Sequence, residues 1–139
     1  MSSSQGLGEK EILDFGTQIG VLMATEKNKK QTEKTKKHQI EQIIASLENT
    51  KDPRLSLLLT AAFALRQAKR ELIDKKAADH ISFVMKTLHE KNCTREEARK
   101  VLGTAKWVYE IMEGSSKRFE RPEKLTLEDF IKEISSQSG

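Results

Sequence analysis

Two prolines, Pro53 and Pro122, are the only ones in this 139-residue chain, and of its seven glycines only Gly16, Gly20, Gly103 and Gly114 lie away from the ends. Proline removes a helix hydrogen bond and clashes with the preceding turn, and glycine costs a helix conformational entropy, so a chain this poor in both can run in long helices. Apolar residues recur throughout at spacings of three and four, the helical period. The expected fold is all-α, a compact bundle of five to six helices. Residues 1–8, rich in serine and glycine, read as a disordered tail, and 9–135 as a single helical domain.

The first helix is expected from Glu9 to Thr25, its stripe set by Ile12, Phe15, Ile19, Leu22 and Met23. EKNKKQTEKTKK follows, with six lysines and no apolar residue, either an exposed mobile loop or the polar opening of the next helix. That second helix carries Ile40, Ile43, Ile44 and Leu47 and ends near Glu48, before NTKDP. Asp52 then caps a third helix with Pro53 at its first position, where a missing N–H is harmless. Its LSLLLTAAFAL is apolar nearly all round, the pattern of a central element buried on several sides. A fourth helix through Ala77, Ala78, Ile81, Val84, Met85 and Leu88 is either separate or continuous with the third across DKK. Thr94 and Glu97 form a capping box that opens a fifth helix, which Gly114 stops. Thr126, with Asp129 three residues on, opens a short sixth.

Composition narrows the function classes. Charged residues make up 33% and hydrophobic ones 36%, enough for a modest core. The net charge of +4 weakly favours a polyanionic partner. One cysteine, Cys93, precludes an internal disulfide and a multi-cysteine zinc site and fits a reducing, cytoplasmic setting. No apolar run is long enough for a membrane span, and the N-terminus has no secretory-signal pattern, so no membrane partner is expected. His38, His80 and His89 lack metal-binding spacing or an adjacent nucleophile, and no phosphate-binding glycine loop or nucleophile elbow occurs. Neither catalysis nor a cofactor or metal is expected.

Two basic clusters remain. At about 100° per residue, Lys30, Lys34, Lys37 and His38 share one helical sector, opposite Ile40, Ile43 and Leu47. Arg66, Lys69 and Arg70 share the sector that Leu55, Leu58, Leu59 and Ala62 occupy earlier on the third helix, so that face turns from apolar to basic. Each cluster is either a solvated face whose charges are locally paired or a row of cations neutralising successive phosphates. Trp107 and Ile111 fall off the main stripe of the fifth helix, as core against the first or last helix or as a subunit interface. Phe119, beside Lys117, Arg118 and Arg121, either stacks on a ligand or pins its own loop.

Residues 33–112 resemble the small all-helical subunit of type III-A CRISPR RNA-guided interference complexes. Gln39 and Ile40 match the family's Thr/Ser-Gln-Ile-Arg start, Ala61 to Ala64 with Phe63 its Leu-Ala-Tyr-Ala stretch, and Trp107 to Tyr109 its Val-Ala-Tyr. Glu41 departs from the family's arginine, and Arg66 and Gln67 from its Gly-Arg pair. The resemblance implies a non-catalytic subunit of an antiviral ribonucleoprotein, one that stacks with copies of itself and other subunits. Its basic face, with Lys37, Arg66 and Lys69 or Arg70, would meet RNA or single-stranded DNA backbone. Two other readings compete. One is a helix-turn-helix regulator with Thr94 to Met112 as recognition helix, disfavoured by Glu96 and Glu97 at its leading turn. The other is a protein-interaction adaptor working through Trp107.

Overall fold

The computed structural model describes residues 7–25 and 33–137, apart from the side chains of Glu33, Lys34 and Gln137. It is all-α, with six α-helices in a bundle: α1 (Glu9–Thr25), α2 (Glu33–Ser46), α3 (Pro53–Lys69), α4 (Lys75–Glu90), α5 (Arg95–Met112) and α6 (Leu127–Gln137). None is long and apolar enough to cross a membrane. Most of the expected tail, residues 1–6, and the lysine-rich stretch 26–32 lie outside the described residues.

Local chemistry sets the helix ends. Asp52 accepts from the Arg54 and Leu55 amides with Pro53 just behind it, and Asp74 caps α4 by accepting from the Lys76 amide. Thr94 and Glu97 close the expected capping box on α5, and the Thr126 hydroxyl accepts from the Asp129 amide at 3.1 Å. The open question about DKK is settled, since α3 and α4 are separate. Glu71 takes a left-handed conformation (φ 64), its N–H bonds the Ala68 carbonyl, and the Leu72 N–H bonds the Gln67 carbonyl, a Schellman stop. Asn92 (φ 60) ends α4 in the same way.

The closest packing joins α1 and α5, which run parallel. A Cβ added at Gly16 would stand 2.5 Å from the Val101 carbonyl oxygen and 2.6 Å from Thr104 Cβ, and one at Gly20 would stand 2.6 Å from the Ala105 carbonyl oxygen. Two glycines one turn apart thus let the backbones touch. Ile12 and Ile19 of α1 join Val101, Leu102, Ala105 and Tyr109 of α5 in the main core, which continues through the buried stripe of α4 and into α2. A smaller cluster, Val21, Val108, Met112 and Phe130, seats α6 across α1 and α5.

Side-chain bonds fix the other directions. Early α2 meets late α3 where Gln67 Nε2 donates to Gln39 Oε1 at 2.8 Å, and late α2 meets early α3 where the Ser56 hydroxyl donates to the Leu47 carbonyl at 2.6 Å. Arg54 at the start of α3 reaches His89 and Asn92 at the end of α4. Arg95 at the start of α5 reaches Thr50, just beyond α2, at 2.7 Å. The first five helices therefore run alternately up and down.

The central, all-round-buried α3 expected from LSLLLTAAFAL is corrected. Only one side of α3 is buried, through Ser56, Leu57, Thr60, Ala61, Ala64 and Gln67, while Leu55, Leu58, Leu59 and Leu65 are 39–51% exposed. The cause is that α3 packs chiefly on α4 and α2, and its seam with α2 is closed by small and polar side chains, Gln39, Ser46, Ser56, Thr60 and Gln67.

The α1–α5 contact yields a paired prediction. Gly20→Ala drives a methyl into the Ala105 carbonyl and lowers stability by about 1–3 kcal/mol, outweighing the helix-propensity gain. Gly103→Ala, with nothing within 4 Å of the added carbon, raises stability by about 0.5–1 kcal/mol. Urea-unfolding midpoints at unchanged m-value check both; a Gly20→Ala variant as stable as the parent would contradict the close approach.

Candidate nucleic-acid interface

Alternating directions bring together segments far apart in sequence. The ends of α1, α3 and α5 and the starts of α2 and α4 lie at one end of the bundle. That end gathers Lys34, Lys36 and Lys37 of α2, Arg66, Lys69 and Arg70 of α3 and its stop, Lys75 and Lys76 of α4, and Arg118 and Arg121 beyond α5. Helix C-termini carry unsatisfied carbonyls and partial negative charge, which favours cations there. Lys36 shows the effect. It is buried, and its ammonium donates to the Ala24 carbonyl in the last turn of α1 at 3.3 Å.

The residues expected to bind nucleic acid divide. Lys30 and the Lys34 side chain lie outside the described residues. Lys37 is half-buried and forms an ion pair with Glu110 of α5 at 3.3 Å, and the next turn of the same seam pairs Lys106 with Glu41 at 3.2 Å. Arg66, Lys69 and Arg70 are exposed, and none meets a carboxylate at ion-pair distance among the described residues. The Arg66 guanidinium donates to Gln67 Oε1 at 3.0 Å, so the buried Gln39–Gln67 pair steadies its root. Gln39 joins α2 to α3 while Lys37, two residues earlier, faces α5, so Lys37 and the Arg66 cluster lie on different sides of α2.

The opposite end differs. Arg99 is held by Glu48 and Glu96, which push its pKa up, and the Arg99 hydrogen bond holds the Glu48 carboxyl below its usual value. Lys100 pairs with Glu9 at 3.0 Å and Lys10 with Asp14 at 2.9 Å. Those three cations are held by neighbouring acids, whereas Lys51, Arg54 and Lys91 at the same end are exposed and have no ion-pair partner among the described residues.

Trp107 is 73% exposed and Ile111 half-exposed, so core packing of this sector against the first or last helix is overturned. Gly16 and Gly20 draw α1 onto the Val101–Thr104–Val108 side of α5, which leaves Trp107 facing outward beside Gly103 and Leu13. Phe119 pins its own loop, packing on Phe130 at 5.8 Å between ring centroids, with the Lys117 ammonium 5.6 Å from its ring.

A feature missed in the sequence is Phe83, which stands 55% exposed on α4. Its position off the stripe of Ala77, Ile81, Val84 and Leu88 was the available signal. His80 stacks on its ring at 5.7 Å. The two line a cleft of about 520 Å³ between the end of α1, the start of α4 and residues 118–123. Buried Cys93 has its thiol pKa pushed up by desolvation and by Glu97, which makes it a poor nucleophile. Among the described residues no group of three His, Cys, Asp or Glu side chains is placed to hold a metal ion.

Comparison with known protein families, curated proteins and solved structures finds no match. The class is therefore that of its own geometry, an up-and-down α-helical bundle with one cation-rich end.

His80 links three elements of the cleft. The Gln18 amide donates to the Leu125 carbonyl at 3.1 Å, which turns its oxygen toward His80 Nε2 at 2.7 Å, so Nε2 carries the proton. Burial lowers the His80 pKa, against a smaller opposing pull from Glu123, so the fold favours the neutral ring. A depressed histidine pKa contributes stability that is present above the unfolded-state value of about 6.5 and lost as pH falls below it toward the folded-state value. The urea midpoint should fall between pH 7 and 5, and fall less in His80→Gln; equal declines would show that another group governs the slope.

Proposed function

We propose that this chain is a non-catalytic, RNA-binding small subunit of an RNA-guided ribonucleoprotein, of the kind that residues 33–112 resemble. The observation that carries the reading is the basic face of α3, where Arg66, Lys69 and Arg70 stand together on one exposed helix face without ion-pair partners among the described residues. Cations not held by protein carboxylates are available to phosphates, and the released counterions supply sequence-independent affinity. Guanidinium groups add forked hydrogen bonds to phosphate oxygens.

Self-stacking draws support from two exposed apolar surfaces on different helices, Leu55, Leu58, Leu59 and Leu65 of α3 and Trp107 with Ile111 of α5. Head-to-tail stacking needs two unlike patches on one molecule, and apolar surface of this kind marks interaction sites. A second reading, a protein-interaction adaptor, is favoured specifically by the exposure of Trp107, since tryptophan anchors recur at interface centres. The helix-turn-helix alternative fits less well, because α5 buries its main stripe against α1 and packs on α2 as well.

The test is fluorescence anisotropy of the full chain with single-stranded RNA at low and moderate salt. Affinity should fall steeply with salt and differ little among sequences as far as backbone contacts govern it. Replacing Lys37, Arg66, Lys69 and Arg70 together by alanine should reduce the slope of log affinity against log salt by about 2–3, at roughly 0.7 per lost phosphate contact on a single strand. Binding that ignores salt, or equal binding by the variant, contradicts the assignment. Absence of binding at low salt would shift the weight to the adaptor reading.

A further inference from the structure

The cleft beside Phe83 adjoins the basic end. The α3–α4 corner runs from Lys69 and Arg70 to Lys75 and Lys76 within a few residues, and Lys76 is part of the cleft wall. Its volume of about 520 Å³ lies in the range of small-molecule sites. Two aromatic rings, Phe83 and Phe119, come from different elements, and Phe119 is already fixed from behind by Phe130. Phe83 is fixed too, by the stacked His80 ring and by a T-shaped contact with Phe15 at 6.4 Å. A phenylalanine held on two sides and still 55% exposed offers a rigid apolar surface to something planar.

The charges of the wall say how a ligand would lie. Arg118 supplies a guanidinium suited to a phosphate, and Lys76, which has a protein partner of its own, adds positive charge to the same wall. Asp79, Glu120 and Glu123 supply carboxylate acceptors and would repel a phosphate inserted among them. Lys75 already holds Asp79 at 2.8 Å, whereas Glu120 and Glu123 have no ion-pair partner among the described residues. A nucleotide meets both demands when its phosphate sits with the cations and its base enters against Phe83. Carboxylates accept from amino groups such as cytosine N4, and uracil presents a carbonyl oxygen at that position.

We propose that this cleft receives one unstacked base of single-stranded RNA on the Phe83 ring and prefers a base bearing an exocyclic amino group. The inference rests on the RNA-binding reading above and adds a base contact to the backbone contacts of Arg66, Lys69 and Arg70. Single strands bind proteins by this pairing of an electrostatic track with stacking platforms. Only a splayed base can reach the cleft, so a duplex would be held by its backbone alone.

The experiment measures anisotropy of fluorescein-labelled oligo(C), oligo(U) and an RNA hairpin duplex of equal length with the full chain, its Phe83→Ala variant and its Phe83→Trp variant. Phe83 is exposed, and circular dichroism confirms that each variant is folded. Oligo(C) should bind several-fold tighter than oligo(U) and the duplex. Phe83→Ala should weaken oligo(C) binding by about five- to a hundred-fold with an unchanged salt slope, and Phe83→Trp should restore it. Equal affinity for the three RNAs, or indifference to Phe83→Ala, overturns the base site and leaves salt-dependent backbone binding standing. Loss of salt-dependent binding to every strand overturns both. An arginine-rich peptide that shifts the His80 ring signals in nuclear magnetic resonance, where oligo(C) does not, assigns the cleft to a protein partner and overturns the proposal.

Discussion

The parallel contact between α1 and α5 is the constraint on which the rest of the bundle depends. Gly16 and Gly20 bring the α1 backbone against the Val101 and Ala105 carbonyls, closer than any side chain allows. That approach sets the rotation of both helices. On α5 it puts Ala98, Val101, Leu102, Ala105, Val108 and Tyr109 inside and leaves Trp107 out. On α1 it points Gln18 toward α4, where His80 accepts the role of its partner, and so fixes one wall of the cleft. A wider separation would change the core and the cleft together.

The α2–α3 seam works differently. Its buried side chains are largely polar, and their bonds, Ser46 to Thr60 at 2.8 Å and Gln67 to Gln39 at 2.8 Å, have geometric requirements that apolar packing lacks. A neutral buried hydrogen bond contributes only about 1 kcal/mol net, yet leaving one partner unsatisfied costs about 1–3 kcal/mol. The seam therefore specifies register more than it adds stability. Register in turn orients the outer face of α3, carrying Leu55 to Leu65 and then Arg66, Lys69 and Arg70 to solvent. The apolar and basic halves of that face are one consequence of a polar inner face.

Helix limits were legible because capping is local chemistry. Glu9–Thr25 for α1, Asp52 with Pro53 at α3, the Thr94–Glu97 box at α5 and Thr126 at α6 all needed only neighbouring residues. Burial was less legible, because it depends on which neighbours exist. LSLLLTAAFAL reads as fully buried, but α3 has partners chiefly on one side, and Ser56, Thr60 and Gln67 take the inner positions. The face shared by Arg66, Lys69 and Arg70 could be projected from the helical period. The engagement of Lys37 with Glu110 and of Lys36 with the Ala24 carbonyl could not, since each needs a helix from elsewhere in the chain. Phe83 left a trace, a large apolar residue off the stripe of its own helix, but its meaning required the opposing loop.

Cation clustering at one end also has a physical cause in the topology. Three C-termini, those of α1, α3 and α5, meet there, and the negative end of each helix dipole attracts positive charge within the last turn. Arg66 and Lys69 occupy the last turn of α3, and Lys36 reaches that of α1. The dipoles offset part of the repulsion among neighbouring cations, so the fold tolerates charges that no carboxylate among the described residues pairs with. An anion approaching Arg66, Lys69 or Arg70 would meet no existing ion pair among the described residues. At the far end, Glu48 already holds Arg99 and Glu9 holds Lys100. The same up-and-down path that closes the core thus gathers Arg66, Lys69 and Arg70 with the cations of α2 and α4 at one end of the bundle.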